Sequence, residues 1–214
     1  MKIYHGSKVV LTKPIYKGSN PNNDYGACFY ATLNYDDASI WACKNNTLGF
    51  VNEYSLNLNG LKVLDLTDKS KYSVLHWITL LLMNRSLNHS FKTLYQSRIN
   101  KLIEKYRIDI DEFDIVIGYR ADDAYFRFPR EFIVGNISLE TLEEVFKLGS
   151  LGKQFVIVSS KAINRLRFEK AKLANPQYVG KYYEQVKDAT NLFDEILKKS
   201  IDNIEGTRIG DLLK

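Results

Sequence analysis

The spacing of hydrophobic and polar positions changes along the chain, and each change predicts a different kind of element. Over residues 2–66, short apolar or alternating runs are separated by turn residues, which is typical of β-strands. Over about residues 69–106, apolar side chains recur every three or four positions, which predicts two helices. Strand-like runs return from Phe113, and the charged segment after Arg165 is expected to be mostly helical.

The individual runs and their flanking residues predict an α+β fold. Strands are predicted at Ile3–Tyr4, Ala27–Ala31, Phe50–Leu58, Lys62–Leu66, Phe113–Gly118, Glu131–Ile133 and Gln154–Val158. Asn59-Gly60 is a strong hairpin signal between two of them. Asn34 and Ser138 are candidate N-caps, for a helix reaching Ala42 and for one that begins near residue 139.

This pattern predicts one domain with a C-terminal addition. The domain is expected to cover residues 1–168, with a helical insertion at about residues 69–107. Residues 169–214 are expected to form a helical appendage that packs on the domain through the apolar side chains Val186, Leu192, Phe193, Ile196 and Leu197.

Composition excludes several classes of protein. The 214 residues are 45% hydrophobic and 26% charged, as in ordinary soluble globular proteins, and the net charge of +5 is too mild to diagnose nucleic-acid binding. Cys28 and Cys43 lack the paired spacing of a zinc site or a disulfide framework, so we expect no metal and a reducing cytoplasm. We expect no secretory signal, and the apolar run at residues 77–83 is shorter than the ~20 residues that span a membrane.

Two candidate binding residues lie near the N-terminus. His5 ends the first strand, where a histidine most often has only a structural hydrogen bond. Tyr30 lies in a strand where an aromatic side chain usually just packs, but it could form the floor of a cleft. Asp24 and Gly26 precede that strand and indicate a tightly shaped backbone.

Two further candidates lie near later strands. Asp122 and Asp123 are adjacent carboxylates just past an apolar strand, so they could act as acid, base or cation ligands, although a solvated turn is the simpler interpretation. Gln154 opens a buried strand, and its amide could hydrogen-bond a sugar hydroxyl.

The order of these motifs carries a resemblance to a known family. Residues 4–7 (Tyr-His-Gly-Ser), residues 25–31 followed by a helix, and residues 154–158 together resemble the ADP-ribosyltransferase superfamily. The branch is the one related to poly(ADP-ribose) polymerases and diphtheria toxin, whose motifs supply a histidine, a tyrosine and a glutamate. The chain is also similar to a bacterial group of that fold that shares the run at residues 23–26 and the Ala-Asp-Asp segment at residues 121–123. The resemblance covers about residues 1–168.

The resemblance implies a split, mostly antiparallel β core that binds NAD, as a co-substrate, in the cleft between its halves. His5 would hydrogen-bond the adenosine ribose with support from Ser7, the backbone of Gly6 would hold the nicotinamide carboxamide, and Tyr30 would stack on the nicotinamide ring. The residues assigned to the NAD site are therefore His5, Gly6, Ser7, Asp24, Tyr25, Gly26 and Tyr30.

The third motif departs from the family pattern. Gln154 occupies the position of the family's glutamate, and a neutral amide can orient a ribose hydroxyl but cannot supply negative charge. Charge-assisted hydrogen bonds are about twice as strong as neutral ones, so the difference matters. Asp122 and Asp123 are the first alternative carboxylates and Glu53 is a weaker one. The candidate catalytic residues are Gln154, Tyr30, His5, Asp123 and Asp122.

The function implied by the resemblance is an NAD-dependent mono-ADP-ribosyltransferase. Its acceptor would be a protein or a nucleic acid, and its setting a bacterial toxin, toxin-antitoxin or phage-defence system with an antitoxin protein as a partner and no membrane. One alternative is an NAD glycohydrolase with water as the acceptor. Another is a non-catalytic module that binds NAD or a partner through a degenerate site, an interpretation motivated by Gln154.

Overall fold

The computed structural model describes residues 1–121, 125–148, 152–202 and 205–214, which form a mixed α+β structure with two β-sheets. The predicted α+β class is thus confirmed. The first sheet is antiparallel and has the order β1 (Lys2–Ser7), β3 (Phe50–Leu56) and β7 (Leu166–Leu173). The second has the order β2 (Phe29–Ala31), β6 (Lys153–Ile157), β5 (Ile115–Tyr119) and β4 (Val63–Asp65), and β4 pairs with β5 in parallel.

Helices surround the two sheets. They are α1 (Tyr35–Ala42), α2 (Val74–Asn84), α3 (His89–Tyr106), α4 (Arg127–Val134), α5 (Leu139–Leu148), α6 (Ser160–Ile163), α7 (Lys181–Asp202) and α8 (Ile209–Leu212). The two helices predicted between residues 69 and 106 are confirmed as α2 and α3. None of the helices in the described ranges combines the length and the apolar character needed to cross a membrane.

The second sheet is buried on both faces. Phe155 and Ile157 of β6 pack between the sheets with Ile3 of β1, whereas Val156 and Val158 pack in a larger cluster with the helices. Because successive side chains of a strand point to opposite faces, this alternation places β6 at the centre of the packing. Helix α7 joins the larger cluster through residues that include Ala189 and Phe193.

Helix α1 packs directly on the first sheet. The Asn34 side chain accepts hydrogen bonds from the backbone N–H groups of Asp36 and Asp37, which confirms the predicted N-cap. A Cβ atom on Gly6 would lie 2.0 Å from the carbonyl oxygen of Ala38. Only glycine therefore allows α1 to approach β1 so closely.

The two sheets meet at the middle of β1. Tyr4 and Thr32 form an isolated antiparallel bridge, in which the Tyr4 N–H donates to the Thr32 oxygen at 2.8 Å and the Thr32 N–H donates to the Tyr4 oxygen at 2.9 Å. Apart from this bridge, β1 pairs within the first sheet and β2 pairs within the second. The sheets therefore separate next to His5 and Tyr30.

The predicted hairpin at Asn59-Gly60 is wrong. Gly60 does adopt a left-handed turn conformation, with φ at 72°, but β4 then pairs with β5 in the second sheet rather than with β3. Strand β3 already pairs with β1 on one side and β7 on the other, so both of its edges are occupied.

The predicted strand at Glu131–Ile133 is also wrong, because these residues belong to helix α4. Phe128 and Phe132 are four residues apart and both are buried, so the helical period governs their packing. The helix ends at Gly135, whose φ of 99° suits a left-handed C-cap.

The segment after Arg165 was expected to be helical, but its first part is strand β7. Leu166 and Phe168 pack against the apolar layer between the sheets, and the strand pairs with β3 along its length. The many charged residues of this segment gave no strand pattern, and the strand forms because it pairs with β3, which is distant in sequence. The boundary expected at residue 168 falls inside this strand.

We expect Gly6→Ala to destabilise the fold. The added methyl group would lie 2.6 Å from the Ala42 nitrogen and closer still to Ala38, so α1 must move away from β1. Overpacking of this kind costs about 1–3 kcal/mol of unfolding free energy, which denaturant titration would measure. Gly210→Ala is the control, because no atom lies within 4 Å of its added methyl group. Equal stability of the two variants would contradict the close approach.

Candidate functional site

A cleft with a volume of about 460 Å³ lies where the two sheets separate. Strand β1, the start of β6, helix α1 and the loop before β2 all contribute to its lining. His5, Tyr30 and Gln154, which come from three separate predicted motifs, all line it. The fold thus brings these three side chains to one cavity, as expected for a binding site.

His5 has a defined tautomer. Its Nδ1 lies 2.7 Å from the carbonyl oxygen of Tyr30, and because a carbonyl only accepts, Nδ1 carries the proton. Burial lowers the pKa of His5 below its ordinary value, which favours the neutral ring. The neutral ring leaves Nε2 as a hydrogen-bond acceptor, and none of the described residues donates a hydrogen bond to it.

Tyr30 fixes the loop that precedes it. Its hydroxyl donates to the Gly26 oxygen at 2.7 Å and accepts from the Tyr25 N–H at 3.0 Å. Burial raises the pKa of this hydroxyl well above its ordinary value, so it remains protonated. The hydroxyl is therefore structural, and the ring is the part of Tyr30 that remains for a ligand in the cleft.

Asp24 ties the same loop to the body of the protein. It is only 4% exposed, and its Oδ1 lies 2.7 Å from Nε of Arg85 while its Oδ2 accepts from the Ala121 N–H at 2.8 Å. Burial raises the pKa of Asp24, and the charge of Arg85 opposes that rise. Both oxygens are thus committed to holding the cleft wall in place.

Gln154 lies at the floor of the cleft. Gln154 pairs with Gly118 across the β5–β6 ladder. The Tyr25 hydroxyl lies close to Gly118, because a Cβ atom added there would be 2.0 Å from it. This hydroxyl donates a hydrogen bond to the Tyr119 oxygen. The Oε1 atom of Gln154 is buried and accepts no hydrogen bond from the described residues. An unpaired buried acceptor costs about 1–3 kcal/mol, so a ligand donor would find a strong site here.

Cationic side chains outnumber carboxylates in the described part of the lining. The cations are Lys44, Arg85, Arg120 and Lys153 and the carboxylates are Asp24 and Asp37, an excess of two. Arg120 is 7% exposed and its guanidinium carbon lies 4.3 Å from the centre of the Trp41 ring, while Lys44 Nζ lies 4.5 Å from the same ring. This arrangement favours an anionic ligand.

A family model described as "Protein of unknown function (DUF3990)" matches residues 1–168. The chain belongs to this family. No curated protein and no solved structure matches it. Every cleft residue named above lies within the part that the DUF3990 model covers, whereas α7 and α8 lie beyond it.

The other expected site residues also lie in the region that the DUF3990 model matches, but only some of them line the cleft. The backbone of Gly6 lines the cleft, but Ser7 lies outside the lining and donates to the Val9 oxygen at 2.6 Å. Tyr25 and Gly26 belong to the loop that the Tyr30 hydroxyl holds, and neither is part of the described lining.

The expected carboxylates also differ in position. Asp122 and Asp123 lie outside the described residues. Glu53 is on β3, where it pairs with Lys2 at 2.8 Å and Lys170 at 3.5 Å, outside the described lining of the cleft. The described residues contain no cluster of metal-ligating side chains.

Sequence reasoning missed Asp37, Trp41, Lys44, Arg85, Arg120 and Lys153 as site residues. Asp37 looked like an ordinary acidic residue in the first turn of a capped helix. Arg120 offered one usable signal, because it directly precedes the Ala-Asp-Asp segment already identified as a motif.

We expect His5 to make the fold less stable as the pH falls. Its folded pKa is lowered, so below about pH 6.5 the unfolded chain binds a proton that the folded protein does not. The unfolding free energy should therefore fall with pH more steeply in the wild type than in His5→Gln, from about pH 7 down to the folded pKa. Denaturant titrations at several pH values would measure this, with exposed His89→Gln as the control. Parallel curves for wild type and His5→Gln would contradict it.

Proposed function

We propose that this chain is an NAD-dependent mono-ADP-ribosyltransferase that modifies a macromolecule, either a protein or a nucleic acid. The observation that carries the proposal is that two neutral acceptors, His5 Nε2 and Gln154 Oε1, belong to one cleft with a cationic lining and receive no hydrogen bond from the described residues. Hydroxyl donors and phosphates on one molecule would complement both features. A nucleotide such as NAD carries both.

The arrangement of the sheets supports the same proposal. An antiparallel three-stranded sheet and a mixed four-stranded sheet separate at the bridge between Tyr4 and Thr32, and the cleft opens there. This resembles the split β core of the ADP-ribosyltransferase fold. We therefore propose the ADP-ribosyltransferase fold for this chain.

The chain's own residues fit the parts of NAD. His5 Nε2 would accept from a ribose hydroxyl, the Tyr30 ring would stack on the nicotinamide, and Lys44 and Arg120 would attract the phosphates. Gln154 Oε1 would accept from the second ribose. When bound, NAD supplies an ADP-ribosyl group whose transfer builds positive charge on the ribose, so orienting that ribose is the task of the cleft residues.

We expect the wild type to bind NAD, to release nicotinamide and to place label from adenine-labelled NAD on a macromolecule in a bacterial lysate. His5→Ala removes one hydrogen bond to the ribose, which is worth about 0.5–1.5 kcal/mol, so NAD binding should weaken roughly 2- to 10-fold. Tyr30→Ala should abolish transfer of the label, because the ring that would stack on the nicotinamide is lost. Calorimetry measures the binding and gel autoradiography the transfer.

The control is His89→Ala, which changes an exposed residue of α3 and should retain wild-type binding and transfer. Thermal melting of each variant separates a lost contact from a lost fold. Free ADP-ribose without a labelled macromolecule would identify an NAD glycohydrolase instead. Absence of NAD binding by the folded wild type would refute the proposal.

Gln154 favours a second candidate function, NAD binding without turnover. The amide lacks the negative charge that glutamate would place at this position, so the cleft could bind NAD and leave it intact. In that case the wild type binds NAD but releases no nicotinamide, and Gln154→Glu gains release. Release by the wild type itself excludes this second function.

A further inference from the structure

We propose that Asp37 is the catalytic carboxylate of this cleft, in place of the glutamate that Gln154 replaces; this inference rests on the proposed transferase function. Asp37 would accept the proton of the attacking hydroxyl and place negative charge beside the reacting ribose. It comes from helix α1 and not from the third sequence motif.

Helix capping does not use the Asp37 carboxylate. Asp37 is the third residue of α1, where an acidic side chain often accepts from the N-cap backbone in a capping box. Here the Asn34 N–H instead donates to Thr32 Oγ1 at 3.1 Å. Asp37 therefore does not complete a capping box, and its oxygens accept no hydrogen bond from the N-cap backbone.

The carboxylate lies at the same end of the second sheet as Gln154. Asp37 Oδ2 is 3.5 Å from Thr32 Oγ1, and a Cβ on Gly152 would lie 2.7 Å from that same oxygen. Gly152 lies two residues before Gln154. Thr32 follows Ala31, which pairs with Phe155. Continuing this antiparallel register puts Thr32 opposite Gln154. The Thr32 contact and the close approach of Gly152 thus place Oδ2 of Asp37 beside residues that neighbour Gln154 in the sheet.

Other carboxylates near the cleft are already committed. Asp24 has one oxygen on Arg85 and the other on the Ala121 N–H, and Glu53 is paired with lysines of the first sheet. Asp37 has only the long contact with Thr32 as a hydrogen bond among the described residues. It therefore retains the acceptor capacity that a reacting group needs.

The surroundings of Asp37 suit a base. Burial raises its pKa above the ordinary value, and the charge of Arg120, together with the Thr32 contact, opposes that rise. A higher pKa makes the carboxylate a better proton acceptor, and the charge of the nearby cation favours its ionised form. The position of the carboxylate carries the proposal, and its pKa is consistent with it.

The proposed step is balanced in atoms and charge. The bond between the ribose carbon and the nicotinamide nitrogen breaks, and its electron pair leaves with nicotinamide. The oxygen of an acceptor hydroxyl, or of water, forms a bond to that carbon. Its proton passes to the Asp37 carboxylate and then to solvent. Gln154 retains an orienting role through Oε1.

The test compares Asp37→Asn with Asp36→Asn. The first substitution keeps the shape of the side chain and removes its charge; the second does the same at the adjacent exposed carboxylate, which accepts from the Tyr178 hydroxyl. For Asp37→Asn we expect nicotinamide release to fall about 10²–10⁴-fold, the range of general acid–base catalysis. NAD affinity measured by calorimetry should change by less than about threefold, because the role is in the reaction and not in binding. Asp36→Asn should retain both properties.

The outcomes separate this inference from the proposed function. If the wild type releases nicotinamide and Asp37→Asn does so at the same rate, Asp37 is not the catalytic carboxylate although the transferase proposal holds. If Asp37→Asn loses NAD affinity together with rate while its melting temperature is unchanged, Asp37 is a binding residue and the inference is refuted. If the wild type itself neither binds NAD nor releases nicotinamide, the proposed function fails first.

Discussion

The cleft depends on the backbone bridge between Tyr4 and Thr32. This bridge holds β1 of one sheet against the end of β2 of the other, and the hydrogen bond from His5 to the Tyr30 oxygen continues the connection one residue further along β1 and two residues back along β2. The same bond that joins the sheets also selects the tautomer of His5. A single hydrogen bond therefore both connects the two sheets and leaves Nε2 of His5 as an acceptor in the cleft.

Much of the fold follows from local patterns, and the exceptions have tertiary causes. The Asn34 cap, α2, α3 and the β6 strand could be predicted because each depends on residues close in sequence. The hairpin at Asn59-Gly60 could not be excluded, since only the occupied edges of β3 prevent it. Strand β7 likewise exists because β3, more than a hundred residues earlier, offers it an edge.

The candidate site divides in the same way. His5, Tyr30 and Gln154 could be identified because their neighbours form motifs, and the fold brings all three to one cavity. Asp37 could not, because the local sequence gives it a sufficient role in starting a helix, and for Arg120 the local sequence offers only its position directly before the Ala-Asp-Asp segment. Their place in the cleft arises when α1 packs on the first sheet and β5 ends beside it, which no short sequence window contains.

A carboxylate on α1 would change how substitution at position 154 is understood. In a buried site, two carboxylates close together cannot both remain ionised without a large rise in one pKa. Because Asp37 and Gln154 line the same cleft, a neutral amide at position 154 adds no second negative charge there, whereas a glutamate would. On this argument, glutamine at position 154 is compatible with the proposed transferase, whose carboxylate would then lie on helix α1.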